Sequence, residues 1–117
     1  MSQESMIIVA REKENNKLVG LVEVYPTKAV YLCNLSISKD VRRRGLGRLL
    51  CEFSEDIVRA YWGTSTVTLH VETTNFSAKA LYESMNYIAL STKKTSLYSY
   101  EKLIGKQRDL IKYCKNI

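Results

Sequence analysis

Proline occurs once and glycine five times in 117 residues, so neither a flexible nor a proline-stiffened linker fits here. The length suits one domain around one core, over residues 1–117. Histidine occurs once, at His70, and the three cysteines, Cys33, Cys51 and Cys114, are scattered with no CxxC pair. A structural zinc site needs four clustered ligands, so no metal is expected. An odd number of isolated cysteines argues against a disulfide framework and for a reducing compartment. The longest uncharged stretch, Ala60 to Val71, is rich in Tyr, Trp and Thr and far short of the roughly 20 apolar residues of a membrane helix. No membrane partner is expected. Met1–Glu4 lack the basic and apolar regions of a secretory signal and do not look like a transit peptide.

What is present is an ordinary globular balance, 45% hydrophobic and 26% charged, with a net charge of +6. Much of that charge lies in Arg42, Arg43, Arg44 and Arg48, and in the tail from Lys102 to Lys115. Such a chain can hold nucleic acid non-specifically, but no RNA-binding aromatic motif accompanies the charge, and a specific nucleic-acid partner is not expected. The tail cluster reads as a solvated helix face.

Along the chain, Met6–Ala10 and Leu18–Tyr25 read as strands of a hairpin around the polar turn Glu12–Lys17, where Asn-Asn can take positive φ. Ala29–Ser38 alternates Val30, Leu32, Asn34, Ser36 against Tyr31, Cys33, Leu35, Ile37, the period of a third strand. From Gly45 the apolar residues Leu46, Leu49, Leu50, Phe53, Ile57 and Val58 recur at helical spacing, and Gly63 stands where a C-cap belongs. Ser65–Val71 is a further strand. Thr74 or Asn75 caps a second helix with core face Ala78, Leu81, Tyr82 and Met85. Tyr87–Leu90 and Ser96–Tyr100 suggest two strands around a Lys93-Lys94 turn, and Leu103, Ile104, Gln107, Leu110, Ile111 and Cys114 a terminal helix over 103–117. The order is that of an α/β domain: a mixed sheet with helices on its faces.

The turn Arg42-Arg43-Arg44-Gly45-Leu46-Gly47-Arg48 joins a strand to a helix. Alternate glycines let backbone approach a ligand, and the helix start offers unpaired N–H groups and the positive end of its dipole. Together these make an anion site without a metal. It is neither a Walker A loop nor GxGxxG.

Arg42-x-x-Gly45-x-Gly47 in this setting resembles the acetyl-CoA motif of the GNAT acetyltransferases, R/Q-x-x-G-x-G/A. Leu69-His70-Val71-Glu72-Thr73-Thr74-Asn75, Ala78, Leu81-Tyr82-Glu83 and Asn86-Tyr87 resemble the family's LxVxxxNxxAxxLYExxGF. The resemblance covers about residues 6–100 and implies the GNAT fold, a mixed, mostly antiparallel sheet flanked by helices. Asn86 replaces a glycine, a mild change because Asn tolerates left-handed geometry. The family's usual opening strand and two helices, which line the acceptor cleft, do not precede the hairpin; a minimal form, or completion by a dimer or auxiliary subunit, is implied.

The resemblance further implies that the backbone of Leu35, Ser36 and Ile37 bonds the pantetheine arm of acetyl-CoA. Arg42, Arg43, Arg44, Gly45, Leu46, Gly47 and Arg48 would hold the pyrophosphate, and Asn75 would contact the cofactor, cap its helix, or both. Tyr82 matches the general acid for the leaving thiolate, with a core aromatic as the plainer reading. His70, within a segment similar to that of protein N-terminal acetyltransferases, matches a base for the amine proton. The ribosomal-protein alanine, eukaryotic N-alpha and plastid-lineage types are the nearest in pattern, and the first of them has a glutamate there. Tyr31 matches a tyrosine that holds a catalytic water, Glu72 is a secondary carboxylate, and Cys33 needs no role. The implied enzyme acetylates a primary amine, most readily a protein or peptide α-amine, in the cytoplasm or plastid stroma. A small-amine acetyltransferase acting on a polyamine or amino-acid derivative, and a non-catalytic acyl-CoA-binding subunit, are the alternatives.

Overall fold

β1 (Met6–Arg11) and β2 (Leu18–Tyr25) form the expected antiparallel hairpin. Asn16 turns it at φ 59°, and the Asn15 side chain accepts from the Lys17 N–H at 2.9 Å, the local bonding that suits asparagine to turns. The computed structural model describes residues 5–27 and 29–117; Met1–Glu4, including their reading as no leader, and Lys28 lie outside the described residues. β3 (Val30–Ile37) continues the meander on β2. After a 3₁₀ turn at Lys39–Val41, α1 (Leu46–Ile57) packs on β1, β2 and β3. A side chain at Gly20 would meet Ile37 Cδ1 at 3.0 Å and Leu50 Cδ1 at 3.1 Å, so glycine there lets the helix close on the sheet.

β3 departs from the regular alternation expected of it. Leu21 pairs with Ser36 but Glu23 pairs with Cys33, so β3 carries one extra residue, a β-bulge in which Asn34 takes φ 56°. The bulge reverses the facing of the residues beyond it. Leu32, opposite Val24, and Ile37, opposite Gly20, share the α1 face, although simple alternation assigns them to opposite faces.

α1 also presents a different face from the one its apolar spacing suggested. Leu50, Cys51, Ser54 and Glu55 are buried, whereas Leu49 and Phe53 are 61% and 54% exposed. Ser54 fits the core because its hydroxyl donates to the Leu50 carbonyl at 2.7 Å. A π-helical turn, Val58–Trp62, extends α1 to Gly63, whose φ of 59° makes it the helix stop expected from the sequence.

The sheet runs in the order β1-β2-β3-β4-β6-β5, with β4 (Thr66–Glu72) parallel to β3 through Val30↔Val67 and Tyr31↔Thr68. Contacts divide the chain into one unit of Met1–Thr68 with Asn116–Ile117 and a second of Leu69–Lys115. The second contains α2 (Phe76–Ser84), with Met85 and Tyr82 buried as expected, and Asn86 in the left-handed region at φ 71°. Asn75 is the cap: its Oδ1 accepts from the Ala78 N–H at 3.1 Å. Asn75→Ala should cost about 1 kcal/mol of stability in chemical denaturation.

The C-terminal third overturns the expectation. Lys93 and Lys94 lie within β5 (Ile88–Thr95), not in a turn; Ser99–Leu103 is a short helix, α3; and the expected terminal helix is β6 (Arg108–Asn116), antiparallel to β5. β6 is an interior strand, between β4 and β5, and is buried on both faces through Leu110 and Tyr113. Their spacing of three mimics a helix, because a strand covered on both sides loses its apolar–polar alternation.

A wholly buried carboxylate holds the β5–α3–β6 excursion. Glu101 accepts from the Leu97 and Tyr98 N–H groups (3.0 and 3.2 Å) and from Arg108 Nε (2.7 Å), while Arg108 also pairs with Glu72 at 3.0 Å. The Arg108 hydrogen bond, helped by the two amides against the cost of burial, lowers the Glu101 pKa from 4.5 to about 2. A depressed carboxylate stabilises the fold above its unfolded pKa and stops doing so as pH falls through its folded one. Glu101→Gln should therefore lower the thermal midpoint at pH 7 by roughly 10 °C. It should also flatten the loss of stability between pH 4.5 and about 2, read by pH-dependent melting.

Candidate active site

In the first unit the residues implied in cofactor binding fall in two runs, 35–37 and 42–48, joined by the 3₁₀ turn. β3 ends at Ile37, and Arg42 Nε donates to the Ile37 carbonyl at 3.0 Å, tying the turn back to the strand end. Arg43 has φ 67°, and Gly45, at φ 78°, is the N-cap of α1. A residue such as arginine held in the left-handed region stores about 1–3 kcal/mol, which the surrounding turn must offset. The Leu49 N–H is the first of the helix to bond back, to the Gly45 carbonyl at 3.0 Å; Leu46 and Gly47 precede it at the positive end of the helix. Gly47 has no left-handed φ, so its value lies in lacking a side chain at the helix start, not in backbone freedom.

The four arginines are exposed and play different parts. Arg42 is engaged with the strand end and Arg48 pairs with Glu52 at 3.4 Å, while Arg43 and Arg44 form no ion pair among the described residues. Amide donors, a helix dipole and two uncommitted guanidinium groups fit a pyrophosphate. Ser36 and Ile37 pair with Leu21 and Gly20 of β2, which sets the direction of the strand end beside the turn. Tyr31 is half-buried farther back on β3, opposite Tyr25.

In the second unit, His70 is half-buried on β4, and Leu69 and Val71 on either side are buried. Burial first, and then the charges of Lys112 and Lys93, lower the His70 pKa below 6.5. Each cause disfavours imidazolium, so the ring is kept in the neutral form a base requires. Tyr82 is 6% exposed, its ring edge-on to Tyr87 at 5.5 Å and 71°, so it both packs the core and carries the hydroxyl assigned as acid. Asn75 is exposed while it caps α2. Glu72, weighed as a second carboxylate, is committed to Arg108. Cys33 is pushed up to about 11 by burial and then by Glu23, which leaves it a thiol. Glu23 was not singled out from the sequence; an Asn at position 34 inside the third strand, a residue type tolerant of left-handed geometry, was the signal available.

The chain belongs to the acetyltransferase (GNAT) family, whose model matches residues 1–87. It is 41% identical over 56 residues to the [ribosomal protein bS18]-alanine N-acetyltransferase of Salmonella typhimurium, covering 48% of this chain and 37% of that one. Two solved structures share the fold. The ribosomal-protein-S18-alanine N-acetyltransferase of Escherichia coli has a TM-score of 0.80 at 23% identity, over 100% of this chain and 72% of the other. A putative streptothricin acetyltransferase of Bacillus anthracis, in complex with acetyl coenzyme A, has a TM-score of 0.80 at 14% identity, over 99% and 64%. The chain spans between 21% and 60% of the length of the curated relatives it matches.

Proposed function

We propose that the chain is an acetyl-CoA-dependent N-acetyltransferase whose acceptor is the α-amine of a protein or peptide, acting in a reducing compartment such as cytoplasm or plastid stroma. The turn from Ile37 through Gly45 into α1 carries the cofactor assignment. The 41% identity to an alanine N-acetyltransferase supports the choice of acceptor.

In the proposed reaction Arg43, Arg44 and the Leu46 and Gly47 amides hold the pyrophosphate, and the β3 end from Leu35 to Ile37 aligns the pantetheine arm. An α-amine has a pKa of about 8 and is mostly protonated at neutral pH. Neutral His70 is the group assigned to accept that proton, and Tyr31 keeps its separate assignment as holder of a water. The amine nitrogen then forms its bond to the thioester carbonyl carbon, the carbon–sulfur bond breaks as Tyr82 supplies a proton to the departing thiolate, and the second proton, shed by the nitrogen as the amide forms, restores the Tyr82 phenol. Asn75 assists by fixing the start of α2.

Thiol release from acetyl-CoA, measured against free N-terminal peptides, lysine peptides with capped termini, and polyamines, tests this reading. Turnover with α-amines at least tenfold above the other classes is the expected result. Preference for polyamines would move the assignment to small amines, and cofactor binding without turnover on any amine would leave an acyl-CoA-binding subunit.

A further inference from the structure

The face of β1, β2 and β3 turned away from α1 holds a carboxylate that the acetyl-transfer chemistry does not use. Glu23 stands between Ile7 on β1 and Cys33 on β3, on the same face as Tyr25 and Tyr31. Both of its oxygens are held: Tyr25 Oη donates to Oε2 at 2.6 Å, and Asn34 Nδ2 donates to Oε1 at 3.2 Å. Asn34 reaches it from the bulge of β3, with its backbone in the left-handed region. Glu23 is half-buried, and no cation lies within ion-pair distance of it among the described residues. Its charge acts on its neighbours instead, raising the Tyr25 pKa chiefly through their hydrogen bond.

A half-buried carboxylate held by neutral donors retains acceptor capacity and an uncompensated charge. The surrounding side chains are apolar or aromatic: Ile7 and Val9 are exposed on the same face, with Tyr25 and Tyr31 beside the carboxylate. That combination suits a cation attached to a short carbon chain, because the ammonium meets the carboxylate while its carbon atoms and charge lie against aromatic rings. The bulge residue Asn34 directly precedes Leu35, the first residue assigned to the pantetheine arm.

We propose that Glu23, fixed by Tyr25 and Asn34, is the residue that recognises the acceptor, binding its primary ammonium group. The proposal deepens the acetyl-transfer reading and rests on it for the steps after binding; recognition of the ammonium itself does not require turnover. The ammonium proton goes to the general base. A neighbouring carboxylate favours the protonated amine, so Glu23 strengthens binding without speeding the attack. That separates it from a base: Glu23→Gln should raise the acceptor KM about tenfold, leave kcat unchanged or up to about threefold higher, and leave acetyl-CoA affinity unaltered.

The experiment is a calorimetric titration of wild type and Glu23→Gln with three probes and a control: a short alanine-starting peptide, a terminally capped lysine peptide, spermidine, and the alanine peptide with its terminus capped. Wild type should bind the free alanine peptide at least about tenfold more tightly than its capped form, and Glu23→Gln should lose that difference. The lysine peptide and spermidine show which source of primary ammonium the site prefers. Tyr25→Phe, which removes one of the two donors, should give an intermediate loss and guards against a folding artefact in the first variant. Equal binding of free and capped peptides by wild type, or discrimination retained in Glu23→Gln, would overturn the proposal. Discrimination by wild type without thiol release on any amine would instead remove the acetyl-transfer reading and leave the ammonium site standing.

Discussion

Gly47→Glu should weaken acetyl-CoA binding by at least about a hundredfold while leaving the unliganded protein as stable as wild type, or slightly more so. Gly47 lies in the first turn of α1 and adopts no left-handed φ, so the backbone accepts a side chain. A carboxylate in the first helical turn interacts favourably with the helix dipole, which predicts no loss of thermal stability. The same carboxylate occupies the position assigned to pyrophosphate, adding bulk and a negative charge where a negative ligand must sit. Gly47→Ala adds a methyl group without charge and should cost far less affinity. Calorimetric titration and thermal melting of the same samples separate the two effects. A variant that melts normally and still binds acetyl-CoA with wild-type affinity would remove the turn from the cofactor site.

The second large effect concerns proton transfer. His70→Ala should lower kcat by about a hundredfold with little change in acetyl-CoA affinity, and Tyr82→Phe should do the same by removing the acid. His70 acts in its neutral form, so activity should fall as pH drops through its pKa, and burial with Lys112 and Lys93 puts that midpoint below 6.5. Lys93→Gln removes one of the charges that disfavour imidazolium and should move the acid limb of kcat/KM upward, toward 6.5. The limb should vanish in His70→Ala. A loss smaller than about threefold in either single variant would remove that residue from the mechanism.

The features legible in the sequence were those that a few neighbouring residues determine. Asn16 in its turn, Gly45 and Gly63 at the two ends of the first helical segment, Asn75 as a cap and Asn86 at φ 71° each follow from local backbone needs. The features that were not legible depend on distant partners. β6 read as a helix because Leu110 and Tyr113, on opposite faces of the strand, are both buried, and nothing within residues 108–116 records that. Ser54 and Glu55, not Leu49 and Phe53, are buried on α1, on the side whose Leu50 packs over Gly20. The bulge at Asn34 reversed the facing of Leu35 to Ile37, and with it brought Asn34 to Glu23, a pairing 11 residues apart in the chain. For the candidate site, the cofactor turn was readable because its residues are consecutive. Glu23 was not, because its significance comes from Tyr25 and Asn34 converging on it.

Titration of the wild-type chain with acetyl-CoA, followed on the same sample by mass spectrometry of an alanine-starting peptide, is the most direct measurement. Saturable one-to-one binding in the range of about 1 μM to 1 mM, with the peptide gaining one acetyl group at its α-amine, is the result expected. An unmodified peptide, together with no detectable heat up to millimolar acetyl-CoA, would contradict both the cofactor site and the transfer assigned to it.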